Sequence, residues 1–244
     1  MRTLFIIWAL LISLCGSSTY ADSLQTQKLT LYPYKNIVEL QDDFVSGATG
    51  SGNVGWMNWA TASGTGTPIS SEANRSGIYR KTTGAVANTI SQLRLSFTSS
   101  IISTTFSWDQ VWIIRPVDID ADTIYRTGMT NNWGLASIQH GVYFERLGTD
   151  TNWFCVTHNN TGSPNRTDSG VAAIADWVTH RIVFTAGAAL PALFYINGVL
   201  VCSQDNSRIP ASLILPGTHV INTAAASKTL DHDYWQLRIL GLVR

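Results

Sequence analysis

Between Gly141 and Cys202 four short apolar runs, Val142–Arg146, Trp153–Thr157, Val178–Thr185 and Leu193–Cys202, are separated by turn residues. That spacing predicts a meander of antiparallel strands rather than strand–helix–strand units. The last run contains Asn197-Gly198 between apolar flanks, the pattern of a two-residue hairpin, because both turn positions need positive φ. Upstream, Leu93, Leu95 and Phe97 alternate with Gln92, Arg94 and Ser96, as expected of a sheet with one wet face. Trp235, Leu237 and Ile239 alternate with Gln236 and Arg238 in the same way. Thr105–Val117 is more continuously apolar, and Pro116 marks a bend or an edge there. Gly77–Arg80 starts another strand, and residues 22–41 read as a leading strand or arm around Pro33. Residues 42–67 are rich in Gly, Ser and Thr and read as a long loop with short strands, with Trp56 and Trp59 in Gly/Asn-rich loop contexts within it. No helix-period segment competes with these strands, so the chain is expected to be all-β: one antiparallel β-sandwich over residues 42–244.

The series GVYFE, NWFCVT, TDSGV, W-x-x-H-R-I and F-Y-I-N-G, with DDFVSGATGSGNVGWMNW before it and TLDHDYWQLRIL after it, resembles the concanavalin A-like (laminin-G-like) lectin and glucanase sandwiches. The resemblance is strongest to uncharacterised members carried by phage virions and bacterial surface proteins. It extends from Asp42 to Leu242 and implies a jelly-roll topology. Members of that superfamily bind sugars, cleave them or only build surfaces, so the likeness specifies fold better than activity.

Composition narrows the partners. The chain has 244 residues, 45% hydrophobic and 13% charged, with a formal net charge of zero. It is not built to hold nucleic-acid phosphates. Low charge suits neutral sugars or packing against more protein. The N-terminus pairs Arg2 with an apolar run, Leu4–Leu14, and a small-residue triplet Thr19-Tyr20-Ala21. This is the pattern of a secretory signal peptide over residues 1–21. The run is short for a bilayer span, and no later stretch is long and apolar enough to cross a membrane. The expected location is therefore secreted, periplasmic or at the cell surface, with a virion as the alternative. Export permits a disulfide between Cys155 and Cys202; two buried free thiols are the other reading.

Glycoside cleavage needs two positioned carboxyl groups. The resemblance implies that glucanase members carry theirs as Glu-x-Asp-x-x-Glu on one strand. This chain has three glutamates, Glu39, Glu72 and Glu145, and none begins such a motif. A non-enzyme is expected. Asp118, Asp120 and Asp122 alternate and would share one face of a strand, which admits calcium. An EF-hand fails, with Thr123 at its sixth position and Met129 at its twelfth, so a solvated acidic turn is preferred and no cofactor is expected. The five histidines show no zinc spacing, and no nucleophile elbow is present.

Tryptophan is the remaining signal. Trp56, Trp59 and Trp133 lie in Gly/Asn-rich contexts, and Asn131 and Asn132 place amides beside Trp133. An aromatic face beside two amides would hold a neutral saccharide. Trp112, Trp153, Trp177 and Trp235 read as core. Two functions follow: an exported, non-catalytic module recognising a glycan or cell surface through sandwich loops, or a self-assembling structural subunit of a virion or surface array.

Overall fold

The longest strand, Thr229–Leu240, is paired along both flanks. The computed structural model describes residues 30–32, 37–44, 56–60, 64–75, 77–95, 102–133, 137–211 and 214–241. Among the described residues sixteen strands run in chain order: β1 Thr30–Tyr32, β2 Ile37–Asp42, β3 Trp56–Ala60, β4 Thr65–Ile69, β5 Ile78–Thr82, β6 Ile90–Leu95, β7 Ser107–Pro116 and β8 Thr123–Thr130. They continue with β9 His140–Arg146, β10 Asn152–Asn159, β11 Asn165–Ala172, β12 Val178–Phe184, β13 Ala192–Ile196, β14 Val199–Gln204, β15 Leu215–Asn222 and β16 Thr229–Leu240. All pair antiparallel in two sheets. The nine-stranded sheet runs β1-β2-β16-β7-β12-β13-β14, with β5 joined to β16 and β4 joined to β5. The seven-stranded sheet runs β11-β10-β9-β8-β15-β6-β3. One flank of β16 pairs with β7; the other takes β5 along its first residues and β2 along its last.

Strand alternation puts the core between the sheets. On β7, Trp108, Gln110, Trp112 and Ile114 are buried, while Asp109, Val111, Ile113 and Arg115 face outward. The outward phase carries two β-branched residues of its own, which is why the run reads as continuously apolar. Pro116 is the last residue of this central strand, so its missing N–H ends the ladder rather than marking an edge. Trp108, Trp112, Trp153 and Trp235 meet Phe144, Phe184 and Phe194 in one cluster spanning both sheets.

Polar pairs also cross this core. Thr127 Oγ1 lies 2.7 Å from His180 Nδ1, and Thr218 Oγ1 lies 2.6 Å from His232 Nε2. Gln110 Nε2 donates to the Gly128 carbonyl at 3.2 Å. Burial depresses His180 to about 3 and His232 to about 4, so both rings are neutral. At one margin Cys155 of β10 and Cys202 of β14 form a disulfide with Cα atoms 6.4 Å apart. It joins the two sheets and closes a separation of 47 residues, worth about 4 kcal/mol in the chain-entropy account.

The Asn197-Gly198 turn joins β13 to β14 with φ of 49° and 82°, as the hairpin pattern requires. Of the expected leading arm, β1 and β2 are strands of the larger sheet. The expected signal peptide, residues 1–21, lies outside the described residues.

Candidate functional site

The outer face of the seven-stranded sheet carries a polar row. In register across neighbouring strands stand Gln92 of β6, His219 of β15, Arg126 of β8, Glu145 of β9, Phe154 of β10 and Asp168 of β11. Arg126 Nε donates to Glu145 Oε2 at 2.6 Å, and Arg166 Nε donates to Glu145 Oε1 at 3.0 Å. Arg166 also pairs with Asp150 and stacks on the Phe154 ring, 3.5 Å from its centroid. His219 Nδ1 donates to the Trp133 carbonyl at 3.1 Å, which leaves Nε2 to accept from Arg126 Nη1 at 2.9 Å. That arrangement requires a neutral ring. Burial first, and the Arg126 charge second, hold His219 well below the ordinary histidine range. Glu145 is 5% exposed, with each oxygen held by an arginine.

Beside this row lies a second apolar cluster of Trp133, Ile138, Tyr143, Val156 and Leu215. Trp133 is fully buried there; its Nε1 donates to the Leu215 carbonyl at 3.1 Å, and its ring meets His219 edge-on at 5.7 Å. Gly217 makes the fit possible, since a Cβ on it would stand 2.7 Å from the indole nitrogen. The expectation that Trp133 offers an exposed stacking face is therefore corrected: an indole is more stable over a glycine-floored apolar patch than in water. Asn131 and Asn132 stay half-buried at the rim of the same loop.

Trp56 and Trp59 also depart from expectation. They lie on strand β3, opposite Leu95 and Gln92 of β6, not in a loop; their side chains fall outside what the structure describes. Three strand spacings, about 14 Å, separate β3 from β8, so they do not gather with Asn131 and Asn132. Trp177, expected in the core, is instead half-exposed. Arg75 and Arg115 lie 4.2 Å and 4.6 Å from its ring centre, and its Nε1 donates to Glu72.

Asp118, Asp120 and Asp122 occupy the turn from β7 to β8, where strand alternation does not apply. Asp118 accepts from the Thr229 N–H, while Asp120 accepts from the Asp122 N–H and Thr123 Oγ1 and pairs with Lys228. The acidic turn preferred from the sequence is what forms, with Asp120 and Asp122 exposed, and the three carboxylates do not share one strand face. Among the described residues no group of three His, Cys, Asp or Glu could hold a metal ion.

Five connections, β6–β7, β8–β9, β10–β11, β12–β13 and β14–β15, lie at one end of the sandwich, the end at which β1 also meets β2 through Tyr32 and Ile37. The β14–β15 connection ties this end together. Ile214 bridges Ile102, Asn206 Nδ2 donates to the Ala188 carbonyl, and Asn159 Nδ2 donates to the Ser207 carbonyl. Arg208 Nη1 reaches the Thr161 carbonyl, and its hydroxyl at 2.8 Å. Asn160, Thr161 and Gly162 are exposed there. Among the described residues of these connections, 102–106, 131–133, 137–139, 160–164, 185–191, 205–211 and 214, the charged side chains are Asp205 and Arg208. The opposite end carries Asp118, Asp120, Asp122, Asp150, Asp176 and Lys228 in its connections.

No family model and no curated protein sequence matches the chain. Its structure is similar to a protein of unknown function from Shewanella oneidensis MR-1, with TM-score 0.66 and 13% identity over 90% of this chain and 92% of that one. It is also similar to the carbohydrate recognition domain of Emp47p, with TM-score 0.55 and 10% identity over 82% and 94%. A β-glucanase of Bacillus licheniformis matches with TM-score 0.51 and 13% identity over 83% and 98%. The fold is concanavalin A-like.

Within this concanavalin A-like sandwich, the glutamate pair of the glucanase motif has no counterpart on β9, where Glu145 stands alone. Asp168 shares its row two strands away, about 10 Å by strand spacing. It is exposed and accepts from Asn152 Nδ2 and the Gly170 N–H. Sequence reasoning missed Arg126, Arg166 and His219, which meet only through strand register. The available signal was a charged residue in the outward phase of a strand with an apolar run, as at Glu145 after Val142-Tyr143-Phe144.

Proposed function

We propose that the protein is an exported, non-catalytic carbohydrate-binding module that presents the loop end around Asn131, Asn132, Asn160 and Thr161 to a glycan. The observation that carries this reading is the partition of charge. Among the described residues of those five connections, amides and hydroxyls are accompanied by Asp205 and Arg208 as the charged groups, and Asp205 accepts from the Ser207 N–H. A neutral sugar needs such directional donors and acceptors and gains nothing from a charged field. The fold it shares with a carbohydrate recognition domain supports the same ligand class. The non-catalytic part rests on Glu145, which is buried with each oxygen held by an arginine and so is not poised to attack or protonate a glycosidic bond. The leader-like N-terminus and the Cys155–Cys202 disulfide support export.

The test is a glycan array with the purified, oxidised protein, followed by mass analysis of each bound glycan after incubation. The expected result is binding without cleavage, weakened about tenfold by Asn132→Ala or Asn160→Gly with the melting temperature unchanged. Glycine is chosen at position 160 because Asn160 has φ of 62°. Cleavage of a bound glycan overturns the non-catalytic reading. A large ordered oligomer that retains no glycan overturns the binding reading in favour of a structural subunit.

A further inference from the structure

His158 is the penultimate residue of β10, at the loop end just described, and is 9% exposed. Its Nδ1 lies 2.7 Å from the Ile138 carbonyl, and its Nε2 lies 3.2 Å from the Gly162 carbonyl. A carbonyl oxygen only accepts, so each contact is a hydrogen bond only if that ring nitrogen carries a proton. A neutral imidazole has one N–H and one lone pair; it satisfies one carbonyl and opposes the other. The doubly protonated ring satisfies both. Ile138 belongs to the β8–β9 connection and Gly162 to the β10–β11 connection.

We infer that His158 is a proton-dependent clamp that pins these two loops to each other. On deprotonation the longer contact, to Gly162, is the one lost. The Asn160–Gly162 turn is then released from the sheet while Ile138 keeps its bond. In that turn Asn160 and Gly162 both sit at positive φ. The charged and titratable groups facing His158 are His140 on β9 and Arg208 of the β14–β15 connection. His140 feels the His158 charge, and Arg208 lies against Gly162 and Thr161. Both are basic and work against the clamped form. Among the described residues His158 bonds no carboxylate, so the two carbonyl dipoles supply the attraction. Histidine is the side chain suited to such a change near neutral pH. The inference rests on the proposed binding end only for its consequence: acid would stiffen the loops that meet the glycan.

The experiment needs no glycan, so its failure is distinct from failure of the binding reading. The ring nitrogens of His158 are followed by nitrogen-15 NMR in the full chain from pH 8 to pH 5.5, with amide exchange corrected for its intrinsic pH dependence. The expected result is that both ring nitrogens move together to the protonated state. Over the same interval, exchange protection in residues 160–164 rises about tenfold, as one hydrogen bond implies. His158→Gln abolishes that rise. A single neutral tautomer persisting to pH 5.5 overturns the inference, and so does an undiminished rise in His158→Gln. The ring signals of the unmodified protein decide the matter alone if the variant does not fold.

Discussion

Thr127 of β8 and His180 of β12 meet across the core, hydroxyl to ring nitrogen at 2.7 Å, and so tie one sheet of the sandwich to the other. The imidazole is stacked on Phe144 at 4.2 Å and meets Trp153 edge-on at 4.4 Å. A ring so enclosed has no room for the water that an imidazolium needs.

This sets the acid limit of the fold. His180 and His232 are depressed to about 3 and about 4, and His219 lies well below its ordinary range. Burial is the leading cause for all three; at His232 the Asp231 charge opposes the shift and the Lys81 charge adds to it. An unfolded histidine titrates near 6.5, so below that pH the unfolded chain binds protons that the native one refuses. Stability is fully present above about pH 6.5 and falls on acidification. The slope reaches about 1.4 kcal/mol per pH unit for each ring, until the folded values are passed. Urea midpoints at pH 7, 6 and 5 check this; equal midpoints would contradict it.

Lys81 of β5 is 1% exposed, and burial lowers it to about 8. Its Nζ packs where Gly66 of β4 leaves space, 3.0 Å from where a Cβ would stand. Below pH 8 the fold bears a buried ammonium, at a cost on the order of 3 kcal/mol relative to an unfolded lysine near 10.4. The cost is relieved as pH rises from about 8 to 10.4. Lys81→Met should therefore raise the melting temperature at pH 7, with the gap to the parent narrowing towards pH 10. A destabilised variant, or a gap that does not change with pH, would show that the ammonium is not strained.

Trp133→Ala should cost about 3–5 kcal/mol, because it empties a filled site on the sheet and leaves the Leu215 carbonyl without its donor. Gly217→Ala should also destabilise, by about 1–3 kcal/mol, through collision with the same indole. In the double variant the second cost should largely vanish, since the indole is gone. Chemical denaturation of the three variants gives the coupling; strict additivity would mean that the two residues do not touch.

Local pattern determined the strands with clear alternation or apolar runs, though not β3 and β4, because side-chain period is a property of neighbouring residues. The inward phase of Leu93 and Leu95, the Asn197-Gly198 turn and the phase of Trp235 and Leu237 are as the pattern reads; the wet face expected at Gln92 is not, since Gln92 is buried in the polar row beside His219. The lack of a second glutamate near Glu145 was equally plain. What tertiary structure decided is everything that depends on which strands become neighbours. Arg126, Glu145 and His219 are spread over more than ninety residues, and only the β15-β8-β9 register lines them up. Trp133 reads as a loop residue because its neighbours are Asn and Gly. The reason for its burial lies at Gly217, on a strand that follows much later in the chain. Trp177 reads as core, yet two arginines from other segments hold it at the surface. A side chain's fate is fixed by the surface it is offered, and that surface is assembled from parts of the chain the local pattern cannot see.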